Sequence, residues 1–419
     1  MNETDPALDR HGRTSHETYT AGFYADDRDF VVRALLGKAT RGGADIGEVL
    51  ATIAECAPHD HEGWYAAWVA LGDRIAAVAE ACAKGGHPVS AARTYLRAAN
   101  YYAVAVNAVS GLGDVDRLLP TFRLHRAAWD GYLATTRWPV EPLDIPYEDT
   151  TLPGWIFTPD RSGARRPTLV MNLGSDEAIT GIFGEGAEGG LERGYNVVVF
   201  EGPGQQSMLF ERGVPFRYDW EKVLTPVVDR LLARPDVDAE RLAVYGVSQA
   251  GYWVPRALAF EHRFAAAIAD GGVVDMTRSW RQNIPHALLA AYDRGDKERF
   301  DKEMELAFRL PGTGKGQRLW NFRSRPYGVT GYSEALDEVA KYDLTDVAGR
   351  IATPLYVIDA QGDQFFGGQG AELAALVPGA TLARFTQAEG ASYHCQPLAR
   401  ELTEQRMFDW LDEQLGLGG

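Results

Sequence analysis

Short apolar runs at 168–173, 196–200, 242–245, 265–269, 355–359 and 381–385 constrain this chain more than any other feature. Most are separated by segments of helix length, such as 218–233 and 249–260. Continuously apolar strands that alternate with helices predict an α/β fold: a mainly parallel sheet covered by helices on both faces. Ahead of these runs, 143–147 and 152–157 read as a strand pair joined by a polar turn, so the sheet domain is expected to occupy 137–419. The alternation fails once. Charged, aromatic, helix-prone sequence at about 273–352 replaces a crossover, and a stretch that long predicts a helical lid insertion.

Residues 25–136 carry a helical period instead. Trp64, Ala67, Trp68, Leu71, Ile75, Val78 and Cys82 recur at spacings of three and four, which makes one apolar helix face. A second stripe, Tyr95, Leu96, Ala99, Tyr102, Ala103 and Val106, follows Pro88 and the expected N-cap Ser90. These faces need cover, either as plain helix-to-helix core or over an active site. The region is expected to cap the sheet and to contribute to a homodimer. Tyr95 and Tyr102, with Tyr252 and Trp253 further along, are the expected substrate-pocket aromatics. The polar opening, 1–24, reads as a flexible arm.

Charge and motifs narrow the function classes. With 42 Lys+Arg against 58 Asp+Glu, the formal net charge of −16 argues against nucleic acid and anionic membrane surfaces as partners and favours a small-molecule substrate. Cys56, Cys82 and Cys395 are too scattered for a disulfide framework or a metal knuckle. The opening residues lack the apolar run of a signal peptide, so a cytoplasmic location is expected. Gly184-Glu-Gly-Ala-Glu-Gly189 spells GxGxxG but does not open a helix directly after a strand, and its glutamates would repel a pyrophosphate. His59-Asp-His61-Glu62 reads as a solvated face and not as a metal set. Neither a cofactor nor a metal is expected.

The chemistry concentrates where 242–245 runs into Gly246-Val-Ser248-Gln249-Ala250-Gly251-Tyr252. Strand, sharp turn and helix in that order form a nucleophile elbow, which projects a serine hydroxyl from the sheet's carboxyl edge. A serine needs a base, and the base needs an orienting acid. Asp363 follows the run at 355–359, and His394 follows the run at 381–385. Asp270 and Asp275 are alternatives for the acid, whereas Asp359 ends its own strand and is expected to bond locally. An oxyanion would be held by the amide of Gln249 and by a second donor from Gly174 or Ser175, in the loop after 168–173.

With these motifs the sequence resembles the α/β-hydrolase superfamily over about 139–415. Within it the chain is similar to a subgroup with a long helical N-terminal region, which includes 2,6-dihydroxypseudooxynicotine hydrolase and fungal hydrolases that shorten a heptaketide naphthopyrone. The shared features are Trp64 and Tyr101-Tyr102, Glu201-Gly-Pro-Gly-Gln205, the elbow at Ser248, Asp363, and Gly390-Ala-Ser-Tyr-His394-Cys395. The chain departs at Glu201 for Asp, at Ala250 for Gly, and at Asn172-Leu-Gly-Ser-Asp176, where the subgroup has a Gly-Gly pair. The resemblance implies cleavage of a carbon–carbon bond beside a ketone, in a β-diketone or aryl ketone of polyketide origin. The same triad also serves ester, lactone or thioester hydrolysis. A cyclase or lyase without net water addition and a non-catalytic binding protein are the remaining readings.

Overall fold

The computed structural model describes Tyr19 and residues 22–310 and 313–417. Most of the expected arm at 1–24 therefore lies outside the described residues. Two tyrosines of its described part pack against the body of the fold. Tyr19 packs 5.2 Å from the ring of Tyr393. Tyr24 meets Trp64 edge-on at 5.4 Å and donates to the carbonyls of Ile53 and Cys56.

The helical region comprises α1 (Arg28–Lys38), α2 (Ile46–Ala54), α3 (His61–Lys84), α4 (Pro88–Ala108) and α5 (Leu118–Thr135). The Trp64, Trp68, Leu71 and Ile75 stripe of α3 is buried against Ala98, Ala99, Tyr101 and Tyr102 of α4. Contact is close because Gly72 leaves room: a Cβ there would lie 2.5 Å from the Tyr102 ring. Ser90 does not cap α4. The helix starts at Pro88, whose missing N–H is one the first turn leaves unbonded anyway.

Eight strands follow: β1 (Val140–Tyr147), β2 (Thr150–Phe157), β3 (Arg166–Asn172), β4 (Asn196–Phe200), β5 (Val237–Val247), β6 (Ala266–Asp270), β7 (Leu355–Ala360) and β8 (Thr381–Phe385). They form one sheet in the order β1-β2-β4-β3-β5-β6-β7-β8. β1 and β2 make an antiparallel hairpin, β2 joins β4 antiparallel, and every other pair is parallel. Side chains alternate between the faces. Val170, Val198 and Val244 enter one core with Trp220 and Trp253, while Leu169, Val197 and Tyr245 enter another with Phe408 and Trp129. Trp129 belongs to α5, so the helical region shares a core with the sheet.

Helices α6 (Ala187–Glu192), α7 (Gln206–Phe210), α8 (Glu221–Leu232) and α9 (Ala250–Leu258) sit on the crossovers. Between β6 and β7 the lid insertion forms α10 (Thr277–Arg281), α11 (His286–Asp293), α12 (Lys297–Phe308), α13 (Gly314–Ser324) and α14 (Tyr332–Val339). α15 (Gln369–Leu376) and α16 (Arg400–Gln414) complete the fold. Among the described residues no helix is long and apolar enough to cross a membrane.

Candidate active site

β5 ends at Val247 and α9 begins at Ala250, so Ser248 and Gln249 make the turn between them. Ser248 adopts a left-handed backbone, with φ 58°. A side chain pays about 1–3 kcal/mol for that region, and such strain persists only where its surroundings fix it. The fixing is visible. The Ser248 N–H donates to the Asp270 carbonyl at 2.9 Å. A Cβ on Gly246 would lie 2.5 Å from the Ala250 carbonyl oxygen, and one on Gly251 would lie 2.3 Å from that of Gly271. The tightest contact after the serine thus falls at Gly251, while the methyl of Ala250 is accommodated in the core.

His394 arrives from the loop after β8, where Cys395 and Gln396 also have positive φ, at 53° and 43°. That loop is tied down from below. Gln396 Nε2 donates to Asp270 at 3.0 Å, and Arg400 donates to the Cys395 carbonyl at 2.8 Å. His394 Nε2 stands 2.8 Å from Ser248 Oγ, and its Nδ1 stands 2.8 Å from Asp363 Oδ2. The other oxygen of Asp363 accepts the N–H groups of Phe365 and Phe366 at 2.8 and 2.9 Å. Gly271, at φ 79°, leaves the imidazole its space, because a Cβ there would lie 3.0 Å from His394 Cε1.

The alternative acids are committed elsewhere. Asp270 is fully buried and accepts from Tyr245, Gln396 and Arg400. Asp275 accepts from both the N–H and the hydroxyl of Thr277 at the start of α10. Asp359 faces Arg384 at 3.9 Å.

Burial alone would push the His394 imidazole down, but the charge and hydrogen bond of Asp363 outweigh it, so its pKa lies above the ordinary 6.5. For Asp363, burial pushes upward and is outweighed by His394 and the two backbone N–H groups, which hold it below the ordinary 3.8. The signs fix a window. The pair's contribution to stability is lost as pH rises through the raised value of His394, and lost at the acid end as pH falls through the depressed value of Asp363. Proton acceptance by the imidazole runs the other way, since only the neutral ring can take a proton. The acid limb of a kcat/KM profile is therefore expected to have its midpoint above 6.5, and Asp363→Asn is expected to move it downward. A limb that stays in place in that variant would contradict the coupling.

The loop after β3 is oriented by Gln205, the last residue of the Glu201-Gly-Pro-Gly-Gln205 turn. Its Nε2 donates to the carbonyls of Leu173 and Gly174 at 2.8 and 2.9 Å, and its Oε1 accepts the Gly202 N–H at 2.8 Å. In a trans peptide the N–H points opposite to the C=O, so the N–H groups of Gly174 and Ser175 turn away from Gln205. Gly174 stands against Ser248: a Cβ there would lie 2.9 Å from the serine Cβ.

A cavity of about 320 Å³ opens over Ser248 and His394. The helical region contributes Phe30, His61 and Trp64, and the lid contributes Trp280, Phe322 and Tyr327. The sheet-side loops add Gln249, Ser175 and Asp176. The expected pocket aromatics are not among its lining, and each has a packing reason. Tyr95 lies over Gly131, where a Cβ would approach its ring to 2.7 Å. Tyr102 lies over Gly72 and donates to Asp73. Tyr252 is buried with its hydroxyl on the Tyr218 carbonyl, and Trp253 stacks on Trp220 at 4.2 Å. The solvated-face reading needs correcting for His61, which is half-buried in the cavity lining, whereas His59 lines the cavity and is exposed. The lid aromatics carry no periodic signal that separates them from ordinary core. Phe365 and Phe366, directly after Asp363, could have been found by proximity to it.

The profile of the prolyl oligopeptidase family (Peptidase_S9) matches residues 191–305. The chain is 29% identical to the hydrolase LUC6 of Fusarium sp, over 96% of this chain and 99% of that one. It is 30% identical to the hydrolyase poxO of Penicillium oxalicum, over 80% of each. With the 20-hydroxy-prefusarin hydrolase FUS2 of Gibberella moniliformis it shares 32% identity over 64% of this chain and 65% of that relative. In structure it is similar to the 2,6-dihydroxy-pseudo-oxynicotine hydrolase, with a TM-score of 0.71 at 22% identity, over 90% of this chain and 95% of the other. That likeness concerns the fold.

Proposed function

The chain belongs to the α/β-hydrolase superfamily, and from that premise we propose that it is a serine hydrolase that breaks a carbon–carbon bond beside a ketone. The observation that carries the reading is the line from Ser248 Oγ through the imidazole of His394 to Asp363, with both hydrogen bonds at 2.8 Å. His394 takes the hydroxyl proton as Ser248 attacks the carbonyl, and Asp363 holds the imidazole in the tautomer that can accept it. Charge develops on the carbonyl oxygen, where the N–H groups of Gln249 and of Gly174 or Ser175 receive it. The tetrahedral adduct collapses by breaking the bond to the α-carbon, whose electron pair is taken up as an enolate by a second carbonyl. His394 returns the proton to that carbon. A water, deprotonated by His394, then releases the acyl group from Ser248 as a carboxylic acid.

A carbon leaving group needs such acidification, which favours β-diketones and aryl ketones. The cavity's aromatic lining suits a flat conjugated substrate, and its volume suits a small molecule. The family resemblance points to the same chemistry. Benzoylacetone in 18O-labelled water tests it. The expected result is cleavage into a ketone and a carboxylic acid that carries one solvent oxygen. Aryl esters hydrolysed while the diketone stays intact would replace this reading by ester hydrolysis, and an isotope-free isomer would replace it by cyclisation.

A further inference from the structure

The cavity carries more positive charge than the chemistry above uses. Arg318, Arg323 and Arg325, from α13 and the turn after it, all line the space above Ser248. Among the described residues none of the three has a carboxylate partner. Arg323 donates to the carbonyl and hydroxyl of Ser279, at 3.2 and 3.0 Å, both neutral groups. Arg318 reaches Nε2 of His61 at 3.0 Å, and burial together with that guanidinium pushes the imidazole down, which keeps it neutral. Arg325 lies over the rings of Phe210 and Phe322, at 5.2 and 6.0 Å, and its Nε is buried with no hydrogen-bond partner.

Burying a cation without a counter-charge is costly, and proteins rarely do it without a use. Burial pushes both Arg323 and Arg325 below the ordinary arginine range; Tyr327 and Asp176 offset it only in part for Arg323, and no nearby charge offsets it for Arg325. Three acids line the cavity, Asp26, Asp27 and Asp176, and among the described residues none of them forms an ion pair with Arg323 or Arg325. Asp26 is held by Arg28 at 2.8 Å, and burial pushes the carboxyl of Asp176 up, toward its neutral form. A guanidinium presents a planar fork that matches two oxygens sharing a negative charge.

We propose that Arg323 and Arg325 form an anion subsite that holds a delocalised oxygen anion of the substrate, a carboxylate or the ionised enol of a β-dicarbonyl. The subsite deepens the hydrolase reading and rests on Ser248 as the reacting residue of the same cavity. Bound there, an anionic group would orient the remainder of the substrate toward the serine. A neutral aromatic ring stacked on the arginines would need no negative charge and would not distinguish an acid from its amide.

Calorimetric titration of the full chain with 4-phenylbutyrate and with 4-phenylbutyramide separates these cases. The acid is expected to bind at least about tenfold more tightly than the amide. Arg325→Gln and Arg323→Gln are each expected to shrink that preference to within about threefold, and Arg325→Lys to keep part of it. Equal affinities, no measurable binding of the acid, or a preference unmoved in both glutamine variants would overturn the subsite. The wild-type comparison stands even if a variant fails to fold. Fluorophosphonate labelling of Ser248, read on the same preparation, keeps the two readings apart. Acid preference without labelling strikes only the nucleophile, and labelling without acid preference strikes only the subsite.

Discussion

Alanine at position 248 is expected to lower kcat/KM on a β-diketone by about 10⁴- to 10⁶-fold, with the folded chain intact by circular dichroism. The size follows from what is removed. Without Oγ no acyl-enzyme forms, and His394 loses the 2.8 Å partner whose proton it would accept. What remains is binding and the N–H groups near Gly174 and Gln249, which alone still favour an oxyanion over water. His394→Ala is expected to cost about as much as Ser248→Ala, and the double variant hardly more, because residues that act as one unit are not additive. Additive losses in the double variant would mean that serine and histidine work independently.

The second large effect concerns stability. Gly251→Ala is expected to cost at least about 2 kcal/mol and to show as an early midpoint in urea unfolding. Taken alone, glycine to alanine inside a helix stabilises by up to about 1 kcal/mol. Here the new methyl would stand 2.3 Å from the backbone carbonyl of Gly271, which cannot swing aside as a flexible side chain could. Moving that carbonyl also moves Asp270 and the loop beneath His394, so activity should fall with stability. A variant at least as stable as the parent would show that α9 and the end of β6 are not packed as described.

Much of this architecture is written locally in the chain. Runs such as 196–200 and 355–359 are mostly apolar because both sheet faces are buried, and they match β4 and β7 closely. Ser248, Asp363 and His394 each follow such a run, so chain order alone brings them to one edge of the sheet. The pocket lining was less legible for a physical reason. Helical period tells which side of α4 is apolar, but it does not say whether that side meets another helix or a ligand. Tyr95 and Tyr102 turned out to be seated over Gly131 and Gly72 of neighbouring helices. His61 reads as a solvated residue until the lid folds back and brings Arg318 to within 3.0 Å. Such contacts join residues far apart in sequence, and no local pattern encodes them.

The central claim is that Ser248 is a nucleophile activated by His394, and covalent labelling tests it most directly. The native protein, treated with an alkyl fluorophosphonate and digested, is expected to carry a single phosphonyl group on the peptide that contains Ser248. His394→Gln, still folded, is expected to label far more slowly. An adduct on another residue, or no adduct on folded protein, would contradict the account.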